Sequence, residues 1–160
     1  TGTLSVGYTR RTSTRPGPGN ASFEGLTASG RLEKSFTPST TLIVSGARAT
    51  HVSGFEDNPF YVANAVEVLL RAGLPGSVAM EAGAGYHRNR YPTVSTSIGA
   101  SRRDAIRGWS LGVGRPVTRY AFLRADYRRD RRSSNIESFV SHSSALTVQL
   151  GVGLFPARGR

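Results

Sequence analysis

The residues of this chain best suited to chemistry are its three histidines and the serines around one of them. His142, Ser143 and Ser144 place a hydroxyl two positions after an imidazole, with Glu137 a short way upstream. A serine nucleophile needs a base within hydrogen-bond reach and a third group that orients the base. Glu137 qualifies as that third group by proximity alone, and His and Ser co-occur easily in a stretch this rich in serine. The expectation is a protein without a catalytic centre. His51 and His87 stand apart, without the paired spacing of metal ligands, and the chain has no cysteine. Neither a metal site nor a disulfide is expected. Gly83-Ala84-Gly85 and Gly151-Val152-Gly153 could pass for phosphate-binding loops. Both lie inside strand patterns with no helix after them, so that reading fails on context, and no cofactor is expected.

Charge is the other chemical resource. The 160 residues include 21 Lys and Arg against 10 Asp and Glu, a net charge of +11, and Lys34 is the only lysine. Arginine makes forked, bidentate contacts with phosphate and carboxylate, which points to a partner carrying such groups. A GC-rich genome that supplies arginine wherever a cation serves would leave the same trace. The run Tyr127-Arg128-Arg129-Asp130-Arg131-Arg132 raises nucleic-acid binding. It lacks aromatics interleaved as stacking platforms on one sheet face, and no RNA-binding signature accompanies it. Nucleic acid is therefore the weakest of the candidate partners.

What must position these residues is a series of strands. Apolar and polar residues alternate with period two in eight segments, the sign of half-buried strands: about 2–11, 22–35, 40–52, 61–71, 78–88, 104–114, 119–129, and a last one running through 145–154. Leu4, Val6 and Tyr8 oppose Thr3, Ser5 and Thr9 in the first. Val62, Val66, Val68 and Leu70 oppose Ala63, Ala65, Glu67 and Arg71 in the fourth. The connections alternate in length, with short ones at 35–40, 72–77 and 114–119 and long ones near 12–21, 52–60, 87–104 and 128–143. Tight turns on one side and roomy loops on the other describe an up-and-down barrel crossing an outer membrane. A hydrophobic content of 38% and a mean hydropathy of −0.28 do not oppose this, because only every second strand residue would meet lipid. No run approaches the ~18–20 apolar residues of a membrane helix.

The expected fold is all-β: an antiparallel, up-and-down transmembrane β-barrel with eight strands in this chain, either complete or part of a wider barrel. It would occupy residues 1–155, with a short basic tail at 156–160. Glu67, Glu81, Arg124 and Asp126 fall mid-strand and are expected to face the lumen, where they can pair with one another. Tyr8, Tyr61, Tyr86 and Tyr127 near the long-loop ends, and Phe36, Tyr120 and Phe155 near the short-turn ends, would form two interfacial belts. Arg88, Arg90, Arg102, Arg103, Arg128, Arg129, Arg131 and Arg132 crowd the long-loop end. They are expected to form an anion-binding rim for lipopolysaccharide phosphates or an acidic polysaccharide, with an ordinary solvated rim as the alternative. An even strand number puts both termini on the short-turn side, which in an outer membrane is the periplasm. The chain begins at Thr1 with neither Met nor an apolar leader, as expected of a removed signal peptide or a piece of something longer. The last strand ends in a hydrophobic alternation and Phe155, similar to the C-terminal signal read by the barrel-insertion machinery, although here residues 156–160 follow it.

Three segments carry a family resemblance. Residues 55–71, FEDNPFYVANAVEVLLR, resemble the loop-to-strand passage of outer-membrane proteins of the putative beta-barrel porin type 2 group. Residues 127–139, YRRDRRSSNIESF, are similar to that group's penultimate strand and last loop, and residues 35–48, SFTPSTTLIVSGAR, to its turn-then-strand repeat. The resemblance covers most of the chain. It implies a Gram-negative outer membrane and an association with exopolysaccharide export, and it brings no catalytic residues to carry over. Members are usually considerably longer, so this chain would correspond to roughly their C-terminal eight strands. Eight strands alone close on a lumen filled by side chains, so a pore is an implication of the family rather than of the strand count. His142 and Ser144 also resemble the His-x-Ser spacing of lipid A deacylase barrels, but those have an Asn directly after the Ser, where this chain has Ala145. The expected function is that of a non-enzymatic outer-membrane barrel, porin-like or associated with polysaccharide export. It would touch membrane lipid, lipopolysaccharide and anionic polysaccharide. The alternatives are a lipid-A-modifying hydrolase on an eight-stranded barrel and a soluble basic β-protein that binds nucleic acid.

Overall fold

The computed structural model describes residues 1–12, 22–55, 58–94 and 99–152. They form one sheet of eight antiparallel strands in chain order. These are β1 (Gly2–Thr12), β2 (Ser22–Thr37), β3 (Thr40–Phe55), β4 (Asn58–Leu74), β5 (Val78–Val94), β6 (Ser101–Thr118), β7 (Ala121–Ser134) and β8 (Ser141–Val152). Among the described residues the only helical pieces are two 3-10 turns, Pro75–Ser77 and Glu137–Phe139, and no helix is long and apolar enough to cross a membrane. β1 pairs with β2 and β8 with β7, and neither has a second neighbour among the described residues, so the sheet is open at both edges. Phe155 and the tail at 156–160 lie outside the described residues.

The register turns local alternation into two continuous faces. Val6 stands opposite Ala28, Val44 opposite Val68, Val68 opposite Ala84, Ala84 opposite Trp109, and Ala125 opposite Val148. Most apolar members of the eight strands therefore share one side of the sheet, with Ile43, Leu69, Ile106 and Phe122 on the other, and a slip of one residue in any strand would turn its set to the opposite side. That side is uncovered: Leu4 is 79% exposed and Leu146 71%. Trp109 and Tyr127, on adjacent strands of this face, bring their rings to 5.2 Å. Exposure of so many large apolar side chains on one face is a liability in water, and it marks a surface meant for an apolar environment.

The turns at one end follow from their residues. At Thr37-Pro38-Ser39-Thr40 the Ser39 N–H donates to Thr37 Oγ1 at 3.3 Å, and at Thr118-Arg119-Tyr120-Ala121 the Tyr120 N–H donates to Thr118 Oγ1 at 3.1 Å. A threonine hydroxyl that captures the N–H two residues on mimics a backbone turn and closes each hairpin. Between β4 and β5 the reversal is made by Gly76, at φ 77°, which takes the left-handed backbone that a side chain disfavours.

At the other end the strands run further than the alternation suggests. β5 continues to Val94 and β6 begins at Ser101, so the long connection expected at 87–104 shrinks to residues 95–100. The one expected at 128–143 shrinks to residues 135–140. Most of the loop expected at 52–60 is strand, since β3 runs to Phe55 and β4 begins at Asn58, with which Phe55 pairs. Both sides of these strand ends carry polar or charged residues, so the period-two signal fades while the backbone ladder continues. Tyr61 is also corrected. It lies on the side away from the apolar face, with its ring against His51 at 5.4 Å and Tyr91 at 5.2 Å, and is not part of an aromatic belt with Tyr8, Tyr86 and Tyr127.

Candidate functional site

The opposite side of the sheet is polar, and it gathers the chain's acids. Glu33, Glu67, Glu81, Asp104, Asp126 and Asp130 all lie on it by register. Four of them are held by an arginine two residues earlier in the same strand: Arg31 with Glu33, Arg102 with Asp104, Arg124 with Asp126, and Arg128 with Asp130. Side chains two apart in a strand point to the same face, so Arg-x-Asp/Glu is a built-in ion pair. This spacing was available in the sequence and is the signal that identifies the network.

The four residues expected to face a lumen are all on this polar side. Three of them join directly. Arg124 donates through Nε and Nη2 to Asp126 at 2.7 Å each, and the same Nη2 reaches across β6 to Glu81 Oε2 on β5. Arg71 of β4 donates to the other oxygen of Glu81 at 2.7 Å. The result is a chain of alternating charge, Arg71–Glu81–Arg124–Asp126, spanning β4 to β7. Glu67 stands apart from it and faces His87 Nε2 at 3.2 Å.

Glycines on β6 make the span possible. A Cβ on Gly112 would sit 2.5 Å from Asp126 Oδ1 and 3.0 Å from Arg124 Nη2, so the bare backbone provides the room in which the β7 guanidinium crosses to β5. Gly108 makes the same allowance for Asp130. Towards the middle of the sheet the polar side carries small residues, and a groove of about 350 Å³ runs over Ser45, Ala47, Ala63, Ala65 and Glu67. A second hollow of about 190 Å³ continues from Glu67 and His87 towards Ser110, Arg128 and Asp130.

The arginines expected to form one rim divide between the two sides. Arg102, Arg128 and Arg132 lie on the polar face, while Arg88, Arg90, Arg103, Arg129 and Arg131 lie on the apolar face and are exposed. Arg102 is not on a rim: it is 4% exposed and binds Asp104, itself 1% exposed, through two guanidinium nitrogens at 2.6–3.0 Å. Its guanidinium lies 3.5 Å from the centre of the Phe139 ring and 4.6 Å from that of Tyr91. Phe139 belongs to the β7–β8 connection, which is also tied to β6 by Asn135. The Asn135 side chain accepts from the Arg103 N–H at 2.7 Å and donates to the Ser101 carbonyl at 2.8 Å. Arg102, Asp104, Tyr91, Phe139 and Asn135 therefore fasten that connection to the sheet. Their association joins β5, β6 and the loop, which no spacing within one strand announces.

His142 and Ser144 fall on the apolar side of β8, opposite Arg131 and Arg129, and both are exposed. Among the described contacts neither hydrogen-bonds the other or Glu137. The described residues contain no group of three His, Cys, Asp or Glu that could hold a metal ion.

No curated protein and no solved structure matches the chain significantly. The family model described as putative beta-barrel porin 2 matches residues 1–154, nearly the full length. With one apolar and one ion-paired face on an up-and-down sheet, the chain belongs to the putative beta-barrel porin 2 family.

Proposed function

We propose that this chain forms wall of an outer-membrane β-barrel that passes hydrophilic solute along its polar face, and that the solute is an acidic polysaccharide on its way out of the cell. The observation that carries the reading is the division of the sheet into an uncovered apolar face and an ion-paired polar face. A bilayer selects that division, since lipid tolerates the apolar side and a wet lumen the charged one. Lipid also leaves no backbone donor or acceptor unpaired without a cost of several kcal/mol, so the open edges of β1 and β8 call for closure by further strands. More strands widen the lumen beyond the size that side chains fill at about eight. A wall of this kind catalyses nothing. Its fixed ion pairs and small-residue groove offer a hydrated track of hydroxyl-bonding groups, and the arginine surplus at the long-connection end, although carried mainly by the outer face, gives that mouth a positive field that favours anionic cargo.

Refolding the whole protein, with the strands that close this wall, into detergent tests the barrel. The folded protein is expected to migrate differently on a gel before and after heating and to need detergent for solubility. An unshifted band from protein that stays soluble without detergent overturns the reading. Conductance in planar bilayers tests passage: discrete steps are expected, blocked by an acidic oligosaccharide and not by a neutral one. A refolded barrel that never conducts refutes the porin role while leaving the barrel intact.

A further inference from the structure

The excess positive charge is not on the polar face. There, most arginines have an acid beside them, whereas the exposed arginines on the apolar face have none among the described residues beyond Glu24 opposite Arg10. These outward arginines follow the aromatic residues in a fixed order along four strands, β1, β5, β6 and β7. Moving from the apolar band towards the long connections, Tyr8 is succeeded on the same face by Arg10, Tyr86 by Arg88 and Arg90, Trp109 by Arg107 and then Arg103, and Tyr127 by Arg129 and Arg131. The band continues sideways through the sheet. Arg90 stands directly opposite Arg103, and Arg107 directly opposite Arg131. Arg107 lies over the Tyr86 ring at 5.7 Å.

Directly opposed like charges destabilise a sheet unless something lies between them. Nothing in the described chain does, and the position is the level at which aromatic rings meet the headgroups of a bilayer. Guanidinium groups on directly paired residues suit an anionic phosphate, which each can grip by two hydrogen bonds. We propose that Arg88, Arg90, Arg103, Arg107, Arg129 and Arg131 form an outward-facing site for the phosphate groups of lipid headgroups in the surrounding leaflet. This rests on the barrel reading, but concerns the outside of the wall and not its lumen. The occupant is a membrane lipid because the arginines continue the apolar face; a soluble glycan would approach from the loops or the polar side.

The test uses the full chain refolded into phosphatidylcholine vesicles with and without phosphatidic acid. Unfolding is followed by the fluorescence of Trp109, the only tryptophan, which borders the arginine band. The wild type is expected to resist denaturant better in the doped vesicles and to retain phosphatidic acid over phosphatidylcholine by roughly tenfold or more through purification, given the attraction of several arginines. The variant Arg103→Gln/Arg107→Gln/Arg129→Gln/Arg131→Gln should lose both effects. It should be no less stable than wild type in pure phosphatidylcholine, because the opposed charges are gone. Arg115→Gln/Arg119→Gln, at the other end of the sheet, should behave as wild type. Equal lipid preference in both variants overturns the proposal, as does full reproduction of the stabilisation by inorganic phosphate in the buffer. A protein that inserts but ignores phosphatidic acid refutes this site alone; one that never inserts refutes the barrel and the site together.

Discussion

Replacing Asp104 by alanine should be the most damaging small change in the described structure. The carboxylate is 1% exposed and accepts the Arg102 guanidinium through contacts of 2.6, 2.9 and 3.0 Å. Its removal takes the Asp104 carboxylate away from a guanidinium that is 4% exposed. Breaking a buried pair from one side costs about 3–5 kcal/mol, most of it the penalty of the stranded charge. At about 1.4 kcal/mol per tenfold, the folded-to-unfolded ratio should fall by roughly a hundredfold to a few thousandfold. The stacking of Arg102 on Phe139 and Tyr91 remains in this variant, so it offsets none of the loss. Replacing both partners, Arg102→Met with Asp104→Ala, removes the stranded charge but also the cation–ring contacts, worth about 0.5–2 kcal/mol. The double variant should therefore recover about 2 kcal/mol relative to Asp104→Ala alone. Denaturant unfolding of the refolded protein in detergent micelles, read by Trp109 fluorescence, measures both. A loss below about 1 kcal/mol for Asp104→Ala, the range of an exposed pair, together with no recovery in the double variant, would refute the buried-latch argument.

Other outcomes follow from the two faces and the glycine crossings. Val148→Arg, on the apolar side of β8, should cost about 2–4 kcal/mol in lipid, while Gln149→Arg on the other side should cost under about 1; equal costs would dismiss the assignment of faces. Gly112→Val should destabilise by about 1–3 kcal/mol because its side chain collides with Asp126 and Arg124, whereas Gly54→Val, with no heavy atom within 4 Å of the new Cβ, should be nearly neutral in the same unfolding measurement. Asn135→Ala removes both side-chain bonds to β6 and should raise the rate of protease cleavage in the 135–140 connection; an unchanged rate would show that Phe139 and Arg102 suffice to hold it.

Much of this architecture was legible without coordinates. Side-chain direction in a strand depends only on parity, so the apolar face could be assembled from Leu4, Val68, Trp109 and Val148 once strands were recognised. Glu67, Glu81, Arg124 and Asp126 fell on the opposite side for the same reason. Parity held two further facts that composition alone obscured: Tyr61 belongs with Ala63 and not with Val62, and the arginines of the long-connection end divide between the faces. The Arg-x-acid pairs were equally local. Strand length was less legible, because at 89–94 and 101–104 polar residues occupy both faces and erase the alternation that marks a strand.

By itself, then, the order of residues determined the eight strands, their two faces and the ion pairs within single strands, since each depends on neighbours one or two positions apart. Tertiary structure decided what lies across strands. Whether Arg124 reaches Glu81 depends on register and on the empty space above Gly112, and whether Arg102 is a rim cation or a buried anchor depends on Phe139 arriving from a different segment. Such contacts join residues far apart in the chain, and their distances are set by pairing and curvature that no local pattern encodes.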